Sequence, residues 1–341
     1  MSQRWPGGLI KPTPITPTGP YQDGSASGVW TLDQMEYWLQ QGLWPIAGNI
    51  NVRGLFGGGA TTNVIQYIQV GTTGNATDFG DLTQSQAYCA AVSSSTRAVF
   101  CGSSGVDQNV MGYVTISTTG NATDFGDISD STGFFESSGC GSSTRGLIQG
   151  GRPTTANQVS NIYYITIATT GNASNFGNLT KARNRTGSCS SSTRGICVAG
   201  DDNSASNVCN IIDYTTIAST GNATDFGDLL YQGQGYCGCS NSTRGLFIGG
   251  YNTGGGSTNT IQYITIASTG DAVDFGDISI AISFTYPAAC SSSTRGVFRL
   301  GSGFNIMEYV TIATTGNAVD FGDLLNTVGG SAGCSNGHGG L

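Results

Sequence analysis

Apolar and polar residues alternate along most of this chain in short runs separated by turn residues. In Tyr214-Thr-Thr-Ile-Ala-Ser-Thr-Gly-Asn-Ala-Thr-Asp-Phe-Gly-Asp228 the opening residues show the period of two of a half-buried strand. A Gly-Asn hairpin signal follows, and then a second strand around Phe226. The same block occurs six times, with its aromatic pair at Tyr67/Phe79, Tyr113/Phe125, Tyr164/Phe176, Tyr214/Phe226, Tyr263/Phe275 and Tyr309/Phe321. The two rings are always 12 residues apart, and the phenylalanines step by 46, 51, 50, 49 and 46 residues. A fixed centre with elastic flanks at this period marks a repeat architecture.

Each full repeat predicts four strands. The first carries a cysteine, as in Gly235-Tyr-Cys-Gly-Cys-Ser240; a Ser/Thr turn leads to the second, which opens with Arg-Gly, as in Arg244-Gly-Leu-Phe-Ile-Gly249. The third holds the Tyr and the fourth the Asp-Phe-Gly-Asp run. This second strand occurs at Arg53, Arg97, Arg145, Arg194, Arg244 and Arg295, with Ala98 in place of the glycine after Arg97, and the cysteine strand around Cys89, Cys140, Cys189, Cys239, Cys290 and Cys334. Four strands per repeat describe a propeller blade. The repeat region starts at a second strand and stops at a first strand, Ala332-Gly-Cys-Ser-Asn336. The expectation is therefore an all-β fold over residues 51–341, a six-bladed β-propeller closed by the C-terminal strand joining the N-terminal blade, with no edge left open.

Residues 1–50 stand outside this pattern. They hold all four tryptophans and Pro6, Pro12, Pro14, Pro17 and Pro20, which forbid a continuous helix and favour an extended arm. One short helix is expected at about 31–41. Thr31 and Gln34 form a capping box, Trp30 with Met35 a hydrophobic staple, and Leu32, Met35, Trp38 and Leu39 one apolar face. Gly42 and Pro45 end it. Two readings stand: a plug against the repeat body, or an anchor in which Trp5, Trp30, Met35, Trp38, Leu39 and Trp44 dock onto a larger assembly.

Composition narrows the function classes. Net charge is −8 with only two lysines, Lys11 and Lys181, so the field repels phosphate backbones and anionic membranes, and neither nucleic acid nor membrane insertion is expected. No apolar run approaches a membrane span, and the first residues show no secretory h-region. Five cysteines share one repeat position and read as small buried thiols rather than a disulfide framework; with no Cys/His spacing of the metal-ligand kind, no metal or other cofactor is expected.

The run Arg183-Asn-Arg-Thr-Gly-Ser-Cys-Ser-Ser-Ser-Thr-Arg-Gly195 and the diglycines Gly58-Gly59, Gly150-Gly151 and Gly249-Gly250 resemble the kelch type of propeller. The resemblance covers residues 51–341, keeps the diglycine in three repeats and has Phe where kelch carries an outer-strand Trp. Separately, Ser27-Gly-Val-Trp-Thr-Leu32 followed by Tyr37 and Leu43-Trp-Pro45 resembles a segment of structural proteins of tailed phages, particularly marine ones. That resemblance implies a virion component assembled in the host cytoplasm, present in several copies, and held to other virion proteins by its N-terminus.

Catalysis finds little support. Asp-Phe-Gly is a kinase signature in isolation, but its recurrence in the repeat, with Asn-Phe-Gly once, and without the accompanying loops makes it structural. The single histidine, His338, would have to carry any triad or His-based metal site. The Asn-Ala-Thr and Asn-Ala-Ser sequences at Asn75, Asn121, Asn172 and Asn222 read as turns. Asp81, Asp127, Asp228, Asp277 and Asp323 are expected to pair with the Arg-Gly arginines, while Phe79, Phe125, Phe176, Phe226, Phe275 and Phe321 pack between repeats.

Loop lengths point to the binding face. The hairpin inside the block never changes, whereas Arg-to-Tyr spacing runs 14, 16, 19, 20, 19 and 14. In a four-stranded blade the unequal connections share one face, and variable loops on a rigid scaffold are where binding sits. Candidate ligand-binding residues there are Phe134, Phe135, Glu136, Lys181, Arg183, Arg185, Asp201, Asp202, Tyr231, Tyr236, Phe284 and Tyr286, a set suited to host-surface glycan or protein. The competing readings are a purely structural decoration or adaptor of the particle and a glycan-degrading enzyme.

Overall fold

The computed structural model describes residues 4–5, 8–9, 31, 33–34 and 37, and 52–341 except 60–61, 105–108, 129–133, 154–156, 204–207, 253–255, 283–285, 302 and 328. The chain forms two compact units, Met1–Asn51 and Val52–Leu341. In the first, Arg4–Trp5 pairs antiparallel with Gly8–Leu9, and the prolines of the expected extended arm lie outside the described residues. Thr31 and Gln34 exchange the two hydrogen bonds of a capping box: Thr31 N–H donates to Gln34 Oε1 at 3.0 Å, and Gln34 N–H to Thr31 Oγ1 at 3.3 Å. Trp30, Met35, Trp38, Leu39 and Trp44 lie outside the described residues.

The second unit is a β-propeller arrangement of antiparallel sheets. Four sheets have four strands each, and one has seven because Thr224–Ser240 runs unbroken from the fourth strand of one repeat into the first strand of the next. The C-terminal strand Ala332–Ser335 pairs with Arg53–Gly57, placing the chain's last strand in the same sheet as the first repeat.

The invariant block builds the outer rim. In every repeat the glycine after the block's phenylalanine (Gly80, Gly126, Gly177, Gly227, Gly276, Gly322) has φ between +137° and +157°. A Cβ there would stand 2.1–2.6 Å from the backbone of the next repeat's turn glycine, so only glycine fits. That turn covers the outer strand's open edge. Gly120 N–H donates to Phe79 O and Ala122 N–H to Asp81 O, while Asp81 N–H donates to Asn121 Oδ1. The same three bonds recur from repeat to repeat and close the circle where Asp323 N–H donates to Asn75 Oδ1. The sequon asparagines are thus edge-capping groups, with Asp271 doing the same in one repeat.

The arginines do not pair with the Asp-Phe-Gly-Asp carboxylates. Arg53, Arg97, Arg145, Arg194, Arg244 and Arg295 each lie over their own repeat's tyrosine, at 4.2–4.8 Å from the ring centroid. Each donates to a backbone carbonyl of the following repeat, as Arg53 does to Ile116 O at 3.0 Å and Arg295 to Gly71 O at 2.9 Å. Tyrosine and carbonyl satisfy the guanidinium without a desolvated carboxylate. Each tyrosine in turn meets its phenylalanine edge-on. Phe79 and its counterparts are buried between sheets, as in the cluster of Phe79, Leu55, Ile65, Val114 and Ile116.

The inner strands explain the cysteines. The thiols of Cys140, Cys189, Cys239 and Cys290 sit over the Arg-Gly glycine of the next repeat: Cys290 Sγ lies 2.3 Å from where a Gly54 Cβ would be, and Cys189 Sγ 2.5 Å from that of Gly245. All ten cysteines are free and buried. In the second repeat this place belongs to Val92, which pairs with Val99 and packs on Gly146, so the inner strand is Ala90–Ser93 and Cys89 lies just before it. A valine at the cysteine position had hidden the register.

Candidate functional site

The innermost strands line a narrow axial channel with two unlike ends. At the end of the uniform turns, serines are linked in series: Ser93 Oγ donates to Ser335 O, Ser335 to Ser291 O, Ser291 to Ser240 O, Ser240 to Ser190 O, and Ser190 to Gly141 O. Gly141 has no hydroxyl to continue the series to Ser93 O. His338 takes that place, its Nε2 lying 2.9 Å from Ser93 O, while its Nδ1 accepts from Gly340 N–H at 3.1 Å. These partners fix the neutral Nε2–H tautomer. Gly339 N–H donates to Ser240 O, so residues 338–340 lie across this end of the channel. Burial depresses the His338 pKa, against the bond to Ser93 that raises it.

The opposite end is the mouth, built by the connections from fourth to first strands. Four residues before each inner-strand cysteine, or before Val92, stand Tyr88, Glu136, Arg185, Gly235, Tyr286 and Gly330. All six have left-handed backbone, with φ of 57°, 57°, 55°, 72°, 46° and 74°. The requirement comes from the turn: Glu136 N–H donates to Tyr88 O, Arg185 N–H to Glu136 O, Gly235 N–H to Arg185 O, and Tyr88 N–H to Gly330 O. Glycine meets it at no steric cost in two repeats. The other four place tyrosine, glutamate, arginine and tyrosine there, each at about 1 kcal/mol. Residues held this way against their preference mark a candidate site.

Their side chains converge. Arg185 Nε donates to Glu136 Oε1 at 2.9 Å and its Nη1 to Gln234 Oε1 at 2.9 Å; Asn184 Nδ2 donates to Glu136 Oε2 at 2.6 Å. Tyr286 Oη donates to Glu136 Oε1 at 3.2 Å and its ring meets that of Tyr88 at 4.4 Å. Arg152 stands 3.9 Å from Glu136 and over the Phe135 ring. Burial raises the Tyr286 pKa, with the Glu136 carboxylate adding to it, so the phenol stays protonated. The mouth encloses a cavity of about 60 Å³ lined by Tyr88, Glu136, Arg185 and Tyr286, and below it the channel continues as cavities of about 80 and 50 Å³ walled mainly by Ala, Gly, Ser and Cys. It is a slim well with aromatic, amide and charged groups at its rim.

Of the candidates from the variable face, Glu136, Arg185 and Tyr286 meet here, and Tyr236 lines the well just inside. Burial pushes the Tyr236 phenol up to about 12, and its ring packs on Gly249. The others do not join them. Phe134 and Phe135 are buried wedges, Phe134 edge-on to Tyr163. Arg183 is fully buried and paired to Asp213 at 2.9 Å, with Cys197 O and Ile211 O as further acceptors, so it braces the core and is closed to ligand. Lys181 pairs with Asp202 at the surface, and Asp201 bridges to Asn184 through backbone. Tyr231 stands exposed on the long Thr224–Ser240 strand; Phe284 lies outside the described residues.

Tyr88, Arg152, Asn184 and Gln234 belong to the site but were not singled out from sequence. Aligning the repeats on the inner-strand cysteine would have found Tyr88, had Val92 been recognised as occupying that position. Among the described residues no cluster of three His, Cys, Asp or Glu could hold a metal ion. No known protein-family model and no curated protein matches the chain.

Proposed function

We propose that this protein is a non-enzymatic six-bladed propeller of kelch-like geometry that binds a host-surface glycan, or a protein bearing one, at the channel mouth. In this reading the seven-stranded sheet is two blades merged through Thr224–Ser240. The observation that carries it is the mouth itself: Tyr88, Glu136, Arg185 and Tyr286 are kept at left-handed positions that glycine fills without cost elsewhere in the ring. Two tyrosines in contact, beside amides and a charged pair, suit sugar rings, whose faces are apolar and whose edges are hydroxyls. The one histidine is engaged at the far end of the channel, away from these groups.

The N-terminal unit supplies the place of action. Its resemblance to tailed-phage structural proteins supports display on a virion, anchored through the tryptophan-rich segment and a short helix begun by the Thr31/Gln34 capping box. A glycan array read with wild type, Tyr88→Ala and Arg185→Ala tests the site. Binding is expected to fall at least tenfold in both variants, about 1.4 kcal/mol or more, with the β circular-dichroism spectrum unchanged. Silence on every host glycan with retained attachment to particles would turn the assignment to a purely structural decoration. Deleting residues 1–45 is expected to abolish incorporation into particles; normal incorporation would refute the anchor.

A further inference from the structure

Arg299 ends the second strand of the last repeat, Arg295–Arg299, just inside the mouth. Its side chain is 0% exposed. Nη1 donates to Ser331 Oγ at 2.8 Å and to Tyr286 O at 3.3 Å. Nε and Nη2 are buried and have no hydrogen-bond partner among the described residues. The other buried guanidinium differs: Arg183 faces Asp213. No carboxylate among the described residues forms an ion pair with Arg299, and burial pulls its pKa down to about 10, the Cys237 thiol only partly opposing this. A charge taken out of water without a counter-charge is one of the costliest arrangements in a protein interior.

The arrangement points outward to the well. Ser331 lines both upper cavities. Its oxygen already accepts from Arg299, which leaves the hydroxyl proton to be donated elsewhere, and the positive charge behind it polarises that donor. On the other wall, Ser137 lines the same two cavities, and its buried hydroxyl has no partner among the described residues. Around the rim Arg185 and Arg152 face a single glutamate, Glu136, with Asp201 acting on Arg185 from farther out. In a chain of net charge −8, cationic groups thus collect at the top of this channel.

We propose that the upper channel is an oxyanion site, in which a carboxylate, sulfate or phosphate group receives hydrogen bonds from Ser331 and Ser137 and is held by the Arg299 charge through Ser331. This rests on the mouth being the ligand site and names the ligand's chemistry: the group entering the well is the acidic substituent, while Tyr88 and Tyr286 meet the neutral body outside. The cavity size agrees, since about 80 Å³ has room for one such group.

The test uses inorganic anions on the full chain, so that it does not depend on finding the glycan. Sodium sulfate, phosphate and acetate are titrated against sodium chloride at constant ionic strength, and Tm is followed for wild type, Arg299→Met and Ser331→Ala. Wild type is expected to gain about 2 °C or more with at least one oxyanion. Arg299→Met is expected to lose that response while its own Tm in chloride is equal or higher, because an uncompensated charge has been removed. A response to sulfate or phosphate assigns a sulfated or phosphorylated ligand, and one to acetate alone a carboxylated sugar. No response in wild type, or the same response in Arg299→Met, overturns the proposal. Should Arg299→Met not fold, Ser331→Ala decides: loss of the response supports the site, and an unchanged response overturns it. Tyr88→Ala separates the two readings. An anion response kept while glycan binding on the array is unaltered sinks the mouth assignment but leaves the oxyanion site.

Discussion

The residues around the channel mouth put a side chain where the backbone prefers none. Tyr88, Glu136, Arg185 and Tyr286 adopt the left-handed conformation that Gly235 and Gly330 adopt freely, and the first three hold it because their N–H groups are bonded to the neighbouring turn. Gly235 isolates the conformational cost, since a Cβ there would meet nothing within 4 Å. Gly235→Ala is therefore expected to lower unfolding free energy by about 1 kcal/mol by urea denaturation, with no change in glycan binding. A neutral effect would mean that the ring imposes no strain, and with it would go the argument that the four side chains are kept for their chemistry.

At the scale of the element, the block that looks most like a motif is the fastening of one sheet to the next. The outer strand of a propeller sheet is an edge, and here the following repeat's turn takes its carbonyls and one N–H. Gly177 shows how tight the fastening is, with a hypothetical Cβ 2.1 Å from Gly221 O. Gly177→Ala is expected to cost about 2–4 kcal/mol through overlap and backbone strain together. Asn121→Ala, which removes one bond to an exposed edge, is expected to cost about 1 kcal/mol, and Asn121→Asp less, because Asp271 already serves at the equivalent place. Amide exchange at Asp81 measures the local effect: it should speed up in Asn121→Ala while the core amides of Arg97–Cys101 stay protected.

For the second unit as a whole, closure depends on its C-terminal residues twice. Ala332–Ser335 supplies the inner strand for Arg53–Gly57, and His338 fills the one gap in the serine series. Protonation of His338 would set an Nδ1–H against the Gly340 N–H. Its folded pKa lies below the unfolded value, so its contribution is fully present above about pH 6.5 and fades as pH falls through the folded pKa. Thermal stability is expected to drop on acidification across this range more steeply in wild type than in His338→Gln. Parallel pH profiles for the two proteins would show that the histidine is not the titrating element.

What the sequence determined by itself was the periodic part: the strand order, the ring closed by the last strand, and the separation of uniform turns from variable ones. Those follow from local rules of alternation, turn residues and spacing, which repetition writes out six times. Which variable residues matter was decided only by tertiary structure. Glu136 and Arg183 looked equivalent as departures from the repeat, yet one stands at the mouth and the other beneath it against Asp213, because Glu136 lies four residues before its inner-strand cysteine and Arg183 six before its own. Val92 could not be read as a cysteine substitute until its register showed it above Gly146. Arg299 looked like any strand residue, since an uncompensated charge is defined by the partners that three-dimensional packing withholds.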